Sequence, residues 1–212
     1  MNTTDNILHN CAENLTRNGF EVFIAADTDQ ARQIFMQQIL PSLAVKTVSW
    51  GDSLTMKATG VLKELEQLAG IEIIRTFEKD VPWKELIERR RQALLCDLFL
   101  SGSNAVTADG RLVNLDMIGN RTGGITFGPK KVTLFIGRNK ITSDLESAVH
   151  RIKNIAAPLN AKRHGFQTPC AKTGRCHDCS SPQRICNSWS ILDKCYPKGR
   201  IKIFLIDKEL GL

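Results

Sequence analysis

Short apolar runs alternate with amphipathic stretches of helical length through the first hundred positions, and this alternation restricts the fold more than any other feature of the chain. Phe20 to Ala26 reads as a strand, and Asp27 or Thr28 is placed to cap a helix running to about Leu40, where Pro41 forbids continuation. Thr47 to Trp50 is a second strand, and Leu54 to Ala69 is a helix broken or closely packed at Gly60 and closed at Gly70. Ile71 to Ile74 is a third strand, after which Pro82 starts a helix predicted from Trp83 to about Leu100. Ahead of them, Ile7, Leu8, Cys11 and Leu15 mark one face of a helix from Thr4 to Asn18 that stops at Gly19. Strands joined by helical crossovers pair in parallel. The expectation is an α/β protein with a three-layer, open, mostly parallel sheet. Such sheets hold ligands beyond the carboxyl ends of their strands, where the strand order reverses, so the loops that follow strands are the ones to inspect.

From residue 101 glycines become frequent and helical periodicity fades. Ala105 to Ala108 and Leu112 to Asn114 flank Asp109-Gly110, a dipeptide suited to a hairpin turn. Lys131 to Gly137 reads as a buried strand, and Ser143 caps a helix that Pro158 ends at about Ala157. Two β-rich pieces, Ile185 to Cys195 and Ile201 to Ile206, finish the chain. No stretch approaches the roughly 18 to 20 apolar residues of a membrane span, and the polar start MNTTDNILHN lacks the layout of a signal peptide, so a soluble, cytoplasmic protein is expected.

Glycines let backbone N–H groups approach an anion closely. Gly102-Ser103-Asn104, Gly119-Asn120 and Gly123-Gly124 are candidates for such a cradle, with Ser103, Asn104, Thr107 and Asn120 as side-chain donors. Gly51-Asp52-Ser53, between a strand and a helix, offers a second set of amides. None of these is a complete dinucleotide or phosphate-loop fingerprint, and a set of ordinary turns is the alternative.

Of seven cysteines, Cys11 and Cys96 sit in apolar helical contexts and read as buried filler, while five fall between Cys170 and Cys195. Cys170, Cys176, Cys179 and Cys186 follow the spacing C-x5-C-x2-C-x6-C among Pro169, Gly174 and Pro182, a pattern suited to zinc or an iron–sulfur cluster. Only Cys176-His177-Asp178-Cys179 is a C-x2-C knuckle, which weakens zinc. Residues 151–200 carry ten Lys/Arg against Asp178 and Asp193, a local +8 in a chain of net +7, so the remainder stands at −1. That local charge would offset an anionic four-thiolate cluster, and a [4Fe–4S] centre is favoured with zinc as the alternative. Cys195, His177 and His164 are reserve ligands whose ordinary roles are strand filler and solvated side chains.

The run SGSNAVTADGRLVNLDMIGNRTGG, preceded by SWGDSLTMKATG and followed by PCAKTGRCHDCSSPQRICN, resembles the LUD-domain family linked to lactate utilisation, and the resemblance extends over nearly the whole chain. It implies the fold shared by glucosamine-6-phosphate deaminases, ribose-5-phosphate isomerases and CoA transferases, in which a ligand anion lies over glycine-rich loops. By that resemblance the pocket candidates are Gly51, Ser53, Gly102, Ser103, Asn104, Thr107, Asp109, Gly110, Asn114, Gly119 and Asn120. Residues 1–165 would form the LUD-type α/β domain, and 166–212 a cysteine-rich segment whose following strands return to it. CoA transferases of this fold use a glutamate nucleophile, yet no glutamate lies between Glu88 and Glu146. Asp52, Asp109 and Asp116 are the only carboxylates in these loops available as acid or base.

The leading expectation is a component of lactate oxidation to pyruvate. It would hold a small carboxylate or phosphate-bearing ligand and exchange electrons through its cluster with other iron–sulfur subunits. Whether the chain is itself an enzyme is left open. The alternative is a sugar-phosphate isomerase or deaminase with a structural zinc. Against it, the glycine-rich region has few basic residues beyond Arg111 and Arg121 to hold a phosphate, although Arg121 is well placed for one. Nucleic acid is disfavoured, because stacking aromatics in the basic region are few (Phe166, Trp189, Tyr196).

Overall fold

Apolar residues on both faces of a strand require cover on both sides, and the computed structural model, which describes residues 3–212, supplies it. Met1 and Asn2, the beginning of the polar start, lie outside the described residues. In chain order the elements are α1 (Thr3–Arg17), β1 (Glu21–Ala25), α2 (Thr28–Ile34), β2 (Thr47–Trp50), α3 (Leu54–Thr59), α4 (Val61–Leu65), β3 (Glu72–Ile74) and α5 (Trp83–Gln92). Then follow β4 (Leu98–Ser101), β5 (Ala105–Thr107), β6 (Leu112–Asp116), α6 (Asn120–Thr126), β7 (Lys131–Gly137), β8 (Ile141–Thr142) and α7 (Leu145–Arg151). The chain closes with α8 (Ala157–Arg163), α9 (Pro169–Thr173), β9 (Ser188–Leu192) and β10 (Ile201–Ile206).

Six strands form a parallel sheet in the order β1-β10-β7-β4-β2-β3. One face packs Leu134, Ile203 and Phe99 against α1, α6 and the β5/β6 hairpin. The other packs Phe135, Phe204 and Leu100 against α2, α3 and α4. Each fully buried side chain of this size stabilises the fold by about 1.5–3 kcal/mol. β5, β6, β8 and β9 form a second sheet in the order β8-β5-β6-β9, whose outer face is covered by Ala148 and Ile152 with Cys186 against them. The chain beyond the cysteines therefore contributes β9 to the small sheet and β10 to the middle of the large one.

Two elements depart from expectation. The helix predicted to about Leu100 ends near Leu95, and Leu98–Ser101 is the strand β4. Leu98, Phe99, Leu100 and Ser101 are all buried, and a short fully apolar run carries no periodicity to separate strand from helix. Within the glycine-rich region, Asn120–Thr126 is a helix. A Cβ on Gly124 would stand 2.8 Å from the Phe99 ring, so the glycine allows α6 to lie directly on β4.

Pro158, expected to end a helix, is instead accommodated within a run that continues to Arg163, whereas the helical run from Thr28 does stop at Pro41, in a last 3-10 turn to Ser42. A π-turn precedes each, with Leu40 N–H reaching Phe35 O before Pro41 and Ala157 N–H reaching Ile152 O before Pro158. The wider turn relieves the clash between the proline ring and the preceding turn's carbonyl. Asp144 rather than Ser143 caps α7, its Oδ1 accepting from Ser147 N at 2.7 Å.

Candidate functional site: a cationic cleft at the strand ends

From β2 the chain runs outward to β3, then returns past β2 to β4 and on to β7, so the direction of winding reverses between β2 and β4. A cleft of ≈ 320 Å³ opens at the carboxyl ends of these two strands. Asp52 and Ser53 line it from the loop after β2, Phe77 from beyond β3, Gly102 to Asn104 from the loop after β4, and Lys140 from beyond β7. Asp116, Arg121, Ile152 and His164 also line it.

The loop glycines serve packing. A Cβ on Gly102 would lie 2.5 Å from Ser53 Oγ and 3.0 Å from Phe135 O, and one on Gly51 would lie 2.7 Å from Arg121 Cγ. Close approach of the two loops leaves a gap that the Arg121 side chain fills. Arg121 Nη1 donates to Asn114 Oδ1 at 2.6 Å and Gly102 O at 3.2 Å, and Nη2 donates to Asn104 Oδ1 at 2.7 Å and Leu115 O at 2.9 Å. Its Nε faces Asp116 Oδ1 at 3.6 Å. Arg121, on α6, thus ties the loop after β4 to the end of β6, and protein acceptors already surround its donors.

Charge in the cleft is not balanced. Arg121 and Lys140 in its wall, and Arg151 just behind Lys140, are only 7 %, 5 % and 7 % exposed, and Asp116 faces Arg121 alone among them. Arg151 donates to Asn139 O at 3.0 Å and Asn104 O at 2.7 Å, both neutral acceptors. Lys140 Nζ donates to Thr55 Oγ1 at 3.0 Å. Burial, reinforced by the neighbouring Arg151 and Arg121 guanidiniums, pushes Lys140 down to about 7. Arg90, on α5, reaches the same cleft, with its guanidinium 4.7 Å from the Trp83 ring and 5.0 Å from the Phe77 ring. Its buried Nε has no hydrogen-bond partner among the described residues. The two rings hold the guanidinium in place without using its donors.

The carboxylates have other partners. Asp52 is paired with Arg163, with Lys57 at 2.8 Å and with His164 Nε2 at 3.2 Å. Burial alone would raise its pKa, but hydrogen bonds from Arg163 and Lys57 outweigh that and hold it down at about 2, a value poorly suited to a general base near neutrality. Asp116 Oδ2 accepts from the N–H groups of Arg121 and Thr122 at 2.8 and 2.9 Å and so caps the first turn of α6.

The LUD domain model matches residues 8–206. This chain belongs to the LUD domain family. Its fold is similar to the crystal structure of a DUF162 family protein from Deinococcus radiodurans, with a TM-score of 0.55 and 10% identity, covering 97% of this chain and 99% of that one. No curated protein matches it in sequence.

This LUD domain brings Ser53, Gly102, Ser103, Asn104 and Asn120 to the cleft wall. Gly51 and Asn114 sit one layer behind, against Arg121. Gly119 is the residue before α6 and is not in the wall. Thr107, Asp109 and Gly110 lie elsewhere. They form the β5/β6 turn, in which the Thr107 hydroxyl donates to Asp109, Asp109 pairs with Arg111 at 2.9 Å, and Gly110, at φ +88°, backs onto the Asn14 backbone of α1. A tight turn and an anion loop share the same residue types, which is why sequence grouped them.

Arg90, Lys140 and Arg151 were not singled out by sequence. Lys140 carried a usable signal, since it lies just past the end of a buried strand. Arg90 carried none, because a run such as Arg89-Arg90-Arg91 on a polar helix reads as a solvated face.

All seven cysteines of the LUD domain are free thiols. Cys11 and Cys96 are buried, and burial pushes each thiol up to about 12, so they are core filler and not nucleophiles. Cys195 is likewise buried in the core, accepting from Ile201 N. Cys170, Cys176, Cys179 and Cys186 are half-buried in the segment between Phe166 and Ile185, two residues of the cleft wall, and just beyond it. Asn187 fastens the far end, its N–H donating to Asp116 O at 3.1 Å and its Nδ2 to Met117 O at 3.1 Å. Arg184 bridges the Cys179 and Cys186 carbonyls at 2.7 and 3.0 Å. Among the described residues no three His, Cys, Asp or Glu side chains come together closely enough to hold a metal ion. As placed, the four thiols do not fit a cluster or a zinc ion.

Proposed function

We propose that this LUD domain protein takes a small carboxylate or phosphate-bearing ligand into the cleft at the ends of β2 and β4. The observation that carries this reading is the surplus of buried positive charge. Arg90, Arg121 and Lys140 line the cleft, with Arg151 behind Lys140. Of the two lining aspartates, Asp116 faces Arg121 and Asp52 is already paired with Arg163 and Lys57. The buried Arg90 Nε has no partner among the described residues. Buried charge without a partner is costly, and a ligand anion would supply the missing counter-charge. Arg90 is the residue best suited to grip it, since its planar fork matches a carboxylate or phosphate and its donors are uncommitted. Calorimetric titration with lactate, pyruvate and inorganic phosphate tests this. At least one should bind, and Arg90→Met should weaken binding by about 10–100-fold, the equivalent of about 1.5–3 kcal/mol for a hydrogen bond to a charged group. Identical titrations for the two proteins, or no heat with any of the three, would remove the proposal.

The metabolic setting we propose is lactate oxidation in the cytoplasm, alongside other iron–sulfur subunits. Family membership supports the link to lactate utilisation, and among the described residues no helix is long and apolar enough to cross a membrane. Four partly accessible thiols within one short segment support a [4Fe–4S] centre at Cys170, Cys176, Cys179 and Cys186, with zinc as the alternative. Holding either metal requires the segment to rearrange from its described arrangement. Iron, sulfide and zinc content of anaerobically purified protein decides between them, and a colourless protein with stoichiometric zinc would overturn the cluster.

One observation favours a second reading, a sugar-phosphate isomerase or deaminase with a structural zinc. His164, in the cleft wall beside Asp52, is a group able to move a proton there. Turnover of a sugar phosphate without any redox partner would support it.

A further inference from the structure

Lys140 is the chemically unusual group in the cleft. It lies on the 3-10 turn Arg138–Lys140 after β7, its side chain is almost wholly buried, and it makes no ion pair among the described residues. Its hydrogen-bond partner is the Thr55 hydroxyl, whose own proton goes to Leu210 O at 3.0 Å. Thr55 therefore accepts from Lys140, and the nitrogen's lone pair stays uncommitted when the amine is neutral. A lysine whose only task was to hold Thr55 would carry an unpaired buried charge for one neutral hydrogen bond, an unfavourable exchange. The neighbouring guanidiniums remain charged at any ordinary pH, whereas the amine, down to about 7, releases its proton. Arg90, whose uncommitted guanidinium would hold a carboxylate, thus lines the same cleft as an amine able to act as a nucleophile.

We propose that Lys140 condenses with the carbonyl carbon of a 2-oxo carboxylate bound in this cleft, forming an imine. The proposal rests on the anion reading of the same cleft and deepens it by naming the ligand's reactive group. The Nζ lone pair attacks C2, the carbonyl π pair moves to oxygen, and that oxygen takes up a proton. The nitrogen then loses a proton, and the resulting carbinolamine expels water to give the C=N bond. One amine and one ketone yield one imine and one water, and no oxidant or reductant is required. An imine at C2 withdraws electrons from the neighbouring carbons, which suits the cleft to proton or carbon–carbon chemistry next to the carbonyl of a 2-oxo acid.

The test uses the full chain with pyruvate as the probe. Protein and pyruvate are treated with sodium borohydride, which reduces an imine to a stable secondary amine, and the modified lysine is located by peptide mass analysis. Melting temperature with and without pyruvate is measured on the same unreduced protein. The expected result is a rise in melting temperature and one reductively attached pyruvate at Lys140, lost in Lys140→Arg. Because site mapping is done on the unaltered protein, the result stands even if Lys140→Arg folds poorly. A melting shift without an adduct, or adducts spread over exposed lysines such as Lys130, would overturn the imine while leaving the anion cleft in place. Neither shift nor adduct would overturn the imine and the carboxylate form of the anion reading together.

Discussion

The cleft and the cysteine segment adjoin, yet they are organised in opposite ways. In the cleft, Arg121 is locked by four hydrogen bonds to backbone and amide oxygens, and its neighbours Lys140 and Arg151 are buried with it. In the segment, four half-buried thiols are held near one another by chain connectivity and by Arg184, but they do not converge. The first region is arranged before its ligand arrives, so binding need not order it. The second would have to assemble around whatever it holds. Substitutions should therefore act on stability in the first region and on metal content in the second.

The largest expected effect comes from Arg121→Met. Removing the guanidinium leaves Gly102 O and Leu115 O without that donor and separates the loops it joins. Breaking so buried a charged network should cost about 3–5 kcal/mol, read from the urea midpoint. A loss below about 1 kcal/mol would mean that the loops hold their positions without it, and the cleft would no longer count as the more rigid region.

Arg90→Met should separate affinity from stability within the cleft itself. The buried Arg90 Nε makes no hydrogen bond among the described residues; the side chain's contacts with Phe77 and Trp83 are worth about 0.5–1 kcal/mol, beside a longer-range attraction to Asp116 and Asp52. The variant should keep its fold while losing the anion affinity described above. If it melts as early as Arg121→Met, Arg90 is a structural residue and the ligand is held by something else.

These contrasts follow how far each region could be read from sequence. Thr47–Trp50 and Lys131–Gly137 were legible because alternating turns and apolar runs announce buried parallel strands. β4 was not, since it follows α5 almost directly and four buried residues look like a helix end. α6 was hidden by its two glycines, each costing about 1 kcal/mol of helix propensity; close contact with Phe99 explains Gly124, and nothing in the packing requires Gly123. In the cleft, the loops were located by their position after strands. The cations were missed, because Arg90 and Lys140 come from α5 and the end of β7 and no local spacing links them. The cysteines show the converse. Their spacing is conspicuous in sequence, yet spacing alone does not specify whether the thiols meet before a metal is present.

Lys140 gives the comparison a pH dependence. In the unfolded chain it keeps its proton to about 10.5, whereas the folded protein releases it above about 7. Between those values the unfolded state binds more protons, so this group makes stability rise as pH increases from 7 toward 10.5, and its full penalty applies below 7. A bound anion without a carbonyl to attack, such as lactate, favours the protonated form, so its binding should take up protons near neutrality and its affinity should fall as pH rises above about 7. Titration in two buffers of different ionisation enthalpy measures that uptake. Identical heats would show that the ligand does not meet Lys140. Lys140→Met should abolish both trends.

The smallest effect belongs to the cysteine segment without metal. Cys179 is half-buried and outside the apolar clusters, so Cys179→Ser should change the urea midpoint of chelator-treated protein by less than the equivalent of about 0.5 kcal/mol. Cys186 packs against the cluster of Ala105, Val113, Leu115, Ala148 and Ile152, and its serine variant should cost somewhat more, about 1 kcal/mol, because a hydroxyl replaces sulfur in an apolar contact. Either substitution should lower the metal content of anaerobically prepared protein, whatever the metal. This difference between small stability effects and large metal effects is what a segment assembled by its ligand requires. Should Cys179→Ser destabilise the chelated protein as much as Arg121→Met does, the thiols would already belong to a tightly packed arrangement, and the two regions would not differ in kind.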